Sequence, residues 1–155
     1  MHKALILAAS PQHTERALAA SQTYGLAYGG VSSPDHAPTE YAFVLWYADD
    51  GVSLLNRTQP KQGSIRVDFS TGTADYRRQH GGGRGELIAK AVGIKKDYTP
   101  HIMDATAGLG GDAFVLANLG CTLQLYERAP IAHALLQDGL VRALQTADIA
   151  HIAAR

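Results

Sequence analysis

The stretch His101-Ile-Met-Asp-Ala-Thr-Ala-Gly-Leu-Gly-Gly-Asp-Ala-Phe-Val-Leu-Ala117 leaves this chain few ways to fold. Its pattern predicts a short buried strand over Ile102–Ala105, a tight turn on Gly108, Gly110 and Gly111, and a helix with Asp112 at its N-cap. A second strand over Thr122–Tyr126 follows and ends in an acid, Glu127. Strand, glycine turn, helix, strand and terminal acid make the first half of a Rossmann-type nucleotide unit.

Each part of that pattern has a physical use. Glycines lack Cβ, so the main chain can bend sharply and come close to a ligand. The unpaired N–H groups that open the helix favour an anionic or electron-rich group. An acid at the tip of the next strand lies by the same crevice and can accept the two hydroxyls of a ribose. An adenosine-bearing cofactor is therefore expected. Gly108-Leu-Gly110-Gly111-Asp112-Ala113 fits the dinucleotide pattern, a weak signal alone. Asp104, four residues before Gly108, fits a methyl-donor site instead, because a carboxylate there repels a pyrophosphate and attracts a cationic amino group. Asp112 adds negative charge where a dinucleotide places phosphate, and the methyl donor is favoured. Glycines that only let a helix pack on a strand would leave the same trace.

The run Asp104-Ala-Thr-Ala-Gly-Leu-Gly, then Asp112-Ala-Phe-Val-Leu-Ala117, Gly120-Cys121 and Glu127-Arg128, resembles the bacterial small-subunit ribosomal RNA methyltransferase J family. The upstream run Tyr76-Arg-Arg-Gln-His-Gly-Gly-Gly-Arg-Gly-Glu-Leu-Ile-Ala-Lys-Ala-Val-Gly93 strengthens the likeness, which is specific from about Ile65 to Leu136 and loose before that. The resemblance implies a guanine-N2 methyltransferase of ribosomal RNA that uses S-adenosyl-L-methionine and works in the cytoplasm. It places the cofactor contacts on Gly111, Asp112, Glu127 and Arg128, beside Asp104, Gly108 and Gly110. Gly111 stands where the family pattern leads one to expect an arginine.

The fold class implied is α/β: an incomplete class I, Rossmann-like methyltransferase fold with a small N-terminal α/β appendage. Residues 1–72 form the appendage and 73–155 the glycine-rich basic segment and first βαβ part. A strand-end Asp-Pro motif that would hold the target amine is expected beyond Arg155, so the chain reads as part of a longer protein, inactive alone, with an open sheet edge. Two alternatives stand beside this reading, an NAD-type oxidoreductase domain and a non-catalytic RNA- or protein-binding remnant.

Net charge is zero, which argues against a uniformly basic coat. The distribution is uneven. Arg77, Arg78, Arg84, Lys90, Lys95 and Lys96 are opposed only by Glu86 between them, a patch suited to the phosphates of a ribosomal RNA partner. The same charges would serve as a solvated helix face. Gly81, Gly82, Gly83 and Gly85 place Arg84 on a flexible arch able to meet a phosphate or a carboxylate. No apolar run approaches the ~20 residues of a membrane span. Cys121, the only cysteine, excludes an internal disulfide and reads as a small buried hydrophobe. The scattered histidines show no ligand spacing, and no metal is expected.

Before residue 72 the pattern predicts a strand over Ala4–Ala8, then a helix over Thr14–Tyr24 capped by Thr14 with Leu18 and Ala19 inward. Gly29–Thr39 reads as a loop, Tyr41–Tyr47 as an aromatic strand, and Asp50-Gly51 as a hairpin turn returning through Val52–Leu55. Ile65–Phe69 alternates as a half-exposed strand should. Tyr41, Trp46 and Tyr47 could stack on bases, but such aromatics more often fill a core. Beyond Glu127 a helix is expected from Pro130 to Thr146 with Ile131, Leu135, Leu136, Leu140 and Leu144 inward, and another begins at Asp148.

Overall fold

The computed structural model describes residues 3–72, 81 and 83–155. They fall into two compact units, Met1–Arg66 and Val67–Arg155.

The first unit is a five-stranded sheet in the order β2-β1-β3-β4-β5. Its strands are β1 (Lys3–Ala8), β2 (Ala27–Val31), β3 (Tyr41–Ala48), β4 (Gly51–Asn56) and β5 (Ser64–Ile65). β1 runs parallel to both β2 and β3, and β4 returns antiparallel on β3. Continuous apolar sequence is what a strand buried on both faces requires, and Leu5 to Ala8 are accordingly buried. Helix α1 (Thr14–Tyr24) makes the crossover from β1 to β2. Its buried side is Ala17 and Ala20; Leu18 and Ala19 face outward, against expectation. A 3-10 turn, Pro11–His13, precedes it, so His13 occupies the cap position and Thr14 is already helical.

Two turns also differ from the sequence reading. Gly29 and Gly30 lie inside β2 rather than in a loop. A Cβ on Gly29 would stand 2.7 Å from Leu7 Cδ2 and 2.9 Å from Leu5 Cδ2, so glycine here serves close packing, not a bend. The β3–β4 register pairs Ala48 with Gly51, which makes Asp49-Asp50 the two-residue turn and Gly51 the first strand residue. Tyr41 and Trp46 pack against the cluster of Leu5, Leu7, Ala37 and Val44, and Tyr47 is buried, the core role weighed for these aromatics. The buried His13 takes its partner from across the fold, with Nε2 2.9 Å from Asp49 Oδ1.

The second unit holds a parallel pair, β6 (His101–Asp104) and β7 (Thr122–Leu125), joined through helix α3 (Gly111–Asn118). Helix α2 (Leu87–Ala91) precedes β6; α4 (Pro130–Leu144) and α5 (Ala150–Ala153) follow β7. Ala113 to Ala117 are buried without a break, so α3 has no solvent face over these residues. Cys121 is fully buried, and burial pushes its thiol up although the Arg155 charge acts the other way. On the outer edge of β7, Leu123 donates its N–H to the Arg155 carbonyl at 2.9 Å.

Val67 and Phe69 do not continue β5. Phe69 stacks on Phe114 with ring centroids 4.3 Å apart, and Val67 lies over α4 at Gly139. Arg142 fastens this segment to the helix: Nη2 donates to the Val67 carbonyl, Nη1 lies 3.7 Å from Asp68, and Nε donates to the buried Asp138 carboxylate at 2.8 Å. In α4 the inward residues include Leu135 and Leu136, whereas Leu144 is exposed.

Gly139 shows which effect dominates in α4. Alanine in mid-helix would gain about 1 kcal/mol in propensity. Its Cβ would stand 2.8 Å from Val67 Cβ and 3.1 Å from the Val67 carbonyl, an atom that Arg142 holds in place. Overpacking of this kind costs about 1–3 kcal/mol. Gly139→Ala should therefore destabilise the chain by up to about 2 kcal/mol in urea denaturation, against its helix propensity.

Candidate functional site

The site is built where β6 and β7 end side by side. Their pairing places Asp104 opposite Leu125, and Tyr126 N–H donates to the Asp104 carbonyl at 2.8 Å. The chain then turns through Ala105 to Gly110, with Ala107 N–H returning to the Tyr126 carbonyl at 3.0 Å. Gly108 and Gly110 both have positive φ, +55° and +76°, which a side chain rarely tolerates. A Cβ on Gly110 would also lie 2.6 Å from Leu136 Cδ1. Gly111 has no such constraint; a Cβ there would meet nothing within 4 Å.

Gly110, in the left-handed region, caps α3. Asp112 is therefore not the N-cap expected from sequence but an exposed first-turn residue, where its charge suits the helix dipole.

The Glu127 carboxylate closes the loop. Oε2 accepts the Gly108 N–H at 2.8 Å and Oε1 accepts the Ala129 N–H at 2.6 Å. The Ala129 N–H, then that of Gly108, hold this carboxyl below the usual glutamate range, with smaller help from the N–H and charge of Arg128. Asp104 accepts the Thr106 N–H at 2.9 Å through Oδ1.

Between α2, the end of β6 and the start of α3 opens a cleft of about 620 Å³. Asp104, Gly111 and Asp112 line it, with Ile88, Val92 and Leu116 as apolar walls. Two carboxylates on one cleft disfavour a pyrophosphate and favour a cation. Glu127 does not line the cleft; it holds Gly108, in the loop whose earlier residues Ala105 to Ala107 do line it. A carboxylate has about four lone-pair sites, so two N–H donors leave Glu127 able to accept further hydroxyls. This donor set fits a nucleoside bearing a positive charge.

A family model described as SAM-dependent methyltransferase matches residues 34–155. The chain belongs to this family. S-adenosylmethionine is the cofactor the family is named for. The chain is 43% identical over 152 residues to Ribosomal RNA small subunit methyltransferase J of Hahella chejuensis, covering 97% of this chain and 58% of that protein. It is 57% identical over 107 residues to the protein of that name from Shewanella oneidensis, covering 69% and 43% respectively. A solved SAM-dependent methyltransferase from Neisseria gonorrhoeae superposes with a TM-score of 0.73 at 37% identity, over 97% of this chain and 57% of that one. The chain thus spans about half the length of the relatives it matches. None of these comparisons supports the NAD-type oxidoreductase alternative.

The structure gathers Asp104, Gly108, Gly110, Gly111, Asp112 and Glu127 around one loop, with Arg128 exposed beside it. Arg77 and Arg78 lie outside the described residues. Lys90, Lys95 and Lys96 are exposed. Arg84 sits on a 3-10 turn, Gly83–Gly85, and donates Nη1 to the Lys96 carbonyl at 2.8 Å, so it braces the turn at Lys96 instead of riding a loose arch. Sequence reasoning missed Ile88 and Val92. Their one-turn spacing after the glycine run was the available signal.

The pH consequence follows from the direction of the Glu127 shift. A carboxyl held low when folded contributes stability above its unfolded pKa, about 4.3, and loses it as pH falls through the lower folded value. Denaturation midpoints followed from pH 6 to pH 3 should fall less steeply at the acid end in Glu127→Gln than in the unaltered chain. Parallel curves would show that the Gly108 and Ala129 bonds carry no such linkage.

Proposed function

We propose that this chain supplies the cofactor-binding half of an enzyme that methylates the exocyclic N2 of a guanine in small-subunit ribosomal RNA, in the cytoplasm. The observation that carries the reading is the cleft with carboxylates at Asp104 and Asp112, next to a loop fastened by a third at Glu127. The names of the relatives, at 43% and 57% identity, supply the substrate class, and the family resemblance supplies the guanine N2.

S-adenosylmethionine supplies a methyl group on a sulfonium centre, which a nucleophilic amine can take by in-line displacement. Asp104 lies on the cleft side and attracts the donor's cationic amino group. Glu127, ionised at neutral pH and already oriented by two N–H donors, accepts the ribose hydroxyls. Gly111 and Asp112 open α3 beside the cleft, with Arg128 flanking Glu127. Ile88, Val92 and Leu116 give the cleft an apolar wall against which the apolar parts of the donor can pack. Rate enhancement in such a transfer comes mainly from positioning. Arg84, Lys90, Lys95 and Lys96, with Arg77 and Arg78, present cations for RNA phosphates.

Titration calorimetry with S-adenosylhomocysteine and with NAD separates this reading from a dinucleotide site. Heat is expected from the first and none from the second; binding of NAD alone overturns the proposal. Glu127→Ala should weaken the nucleoside by on the order of tenfold, as for loss of a charged acceptor. An unaltered affinity takes Glu127 out of the site. If RNA binds and neither small molecule does, the chain is a non-catalytic RNA-binding remnant.

A further inference from the structure

The segment that walls the cleft on one side also carries exposed positive charge on another. In α2, Ala89 is fully buried, and Ile88 and Val92 face the cleft. Leu87 is 84% exposed and Lys90 is exposed. After α2 the chain makes a closed turn. Lys95 N–H donates to the Tyr98 carbonyl at 2.9 Å and Tyr98 N–H to the Lys95 carbonyl at 3.3 Å. Arg84 braces that turn through the Lys96 carbonyl. Lys95, Lys96 and Asp97 lie on it exposed, and Tyr98 closes it 58% exposed.

This arrangement has a specific chemistry. Lysines make phosphate contacts that carry no sequence information. An aromatic face among them takes an unpaired base by stacking, which duplex RNA cannot offer. The turn is closed by two main-chain bonds, so ordering it on binding costs little. Asp97 repels phosphate at one point of the turn, which leaves the contacts to the lysines beside it.

We propose that Tyr98 stacks on an unpaired base of a single-stranded RNA, with Lys95 and Lys96 on the neighbouring phosphates. That this RNA is the substrate rests on the methyltransferase reading; the stacking does not.

Fluorescence anisotropy of a labelled single-stranded RNA dodecamer of mixed sequence, titrated with the 155-residue chain, tests the stacking. Tyr98→Ala should weaken binding by about tenfold and Tyr98→Phe by little, since stacking needs the ring and not the hydroxyl. Lys95→Ala with Lys96→Ala should lower the slope of log affinity against log salt by about 1.4, or roughly 0.7 for each lost phosphate contact. Equal loss in the Ala and Phe variants, or equal binding of a hairpin duplex, overturns the inference. Matching melting curves for the variants exclude misfolding as the cause. Absence of any S-adenosylhomocysteine binding strikes instead at the methyltransferase reading, and the Tyr98 comparison still decides the stacking.

Discussion

The second unit turns on a carboxylate that reaches from the end of one strand to the loop leaving its neighbour. Glu127 joins Gly108 and Ala129 through their N–H groups, and without it the main chain after Asp104 would have two fewer fixed points. Parallel pairing of β6 and β7 brings the two strand ends together, and the carboxylate turns that proximity into a shape. The same bonds keep the carboxyl ionised, since hydrogen bonds to a charged form favour that form. Structure and charge at the site are thus one device: the group that holds the loop is the group proposed to meet a ribose.

The glycines act on a different link of the chain. Gly108 and Gly110 are needed for backbone sign, and Gly110 also for space against Leu136 and Phe69. With the loop bent there, α3 starts at Gly111 with its N–H groups beside the cleft, and its buried run from Ala113 packs the helix in place. The aromatic stack of Phe69 on Phe114 and the Arg142 contacts then tie the segment at 67–69 to the same body.

How much of this was legible in the sequence depends on range. The strand–turn–helix–strand order around Gly108 was readable because each signal is local: apolar runs, adjacent glycines, an acid at a strand end. Element ends shifted by a residue, with β6 starting at His101 and β7 stopping at Leu125, as fraying ends do. What could not be read was set by partners far along the chain. Gly29 looked like a loop residue, because its reason for being glycine is Leu5 and Leu7 in the next strand. His13 looked isolated, because Asp49 reaches it only after the sheet has formed. Val67 and Phe69 alternated like a strand, yet their burial comes from α4 and α3. Ile88 and Val92 had helical spacing but nothing local to say which cavity they would face.

Gly111 separates backbone necessity from chemistry. In the resembling family an arginine is expected here, and a glycine at the start of a helix sacrifices some propensity. Neither φ nor packing asks for that sacrifice, since the position has ordinary helical geometry and open space around its missing Cβ. The position lines the cleft, so a long cationic side chain would project beside Asp104 and Asp112 and offset part of their charge. With glycine, the cleft keeps the full negative potential of both carboxylates and leaves the helix N–H groups uncovered. A positively charged ligand benefits from the first change and an electron-rich group on the same ligand from the second, a combination met in a sulfonium amino acid.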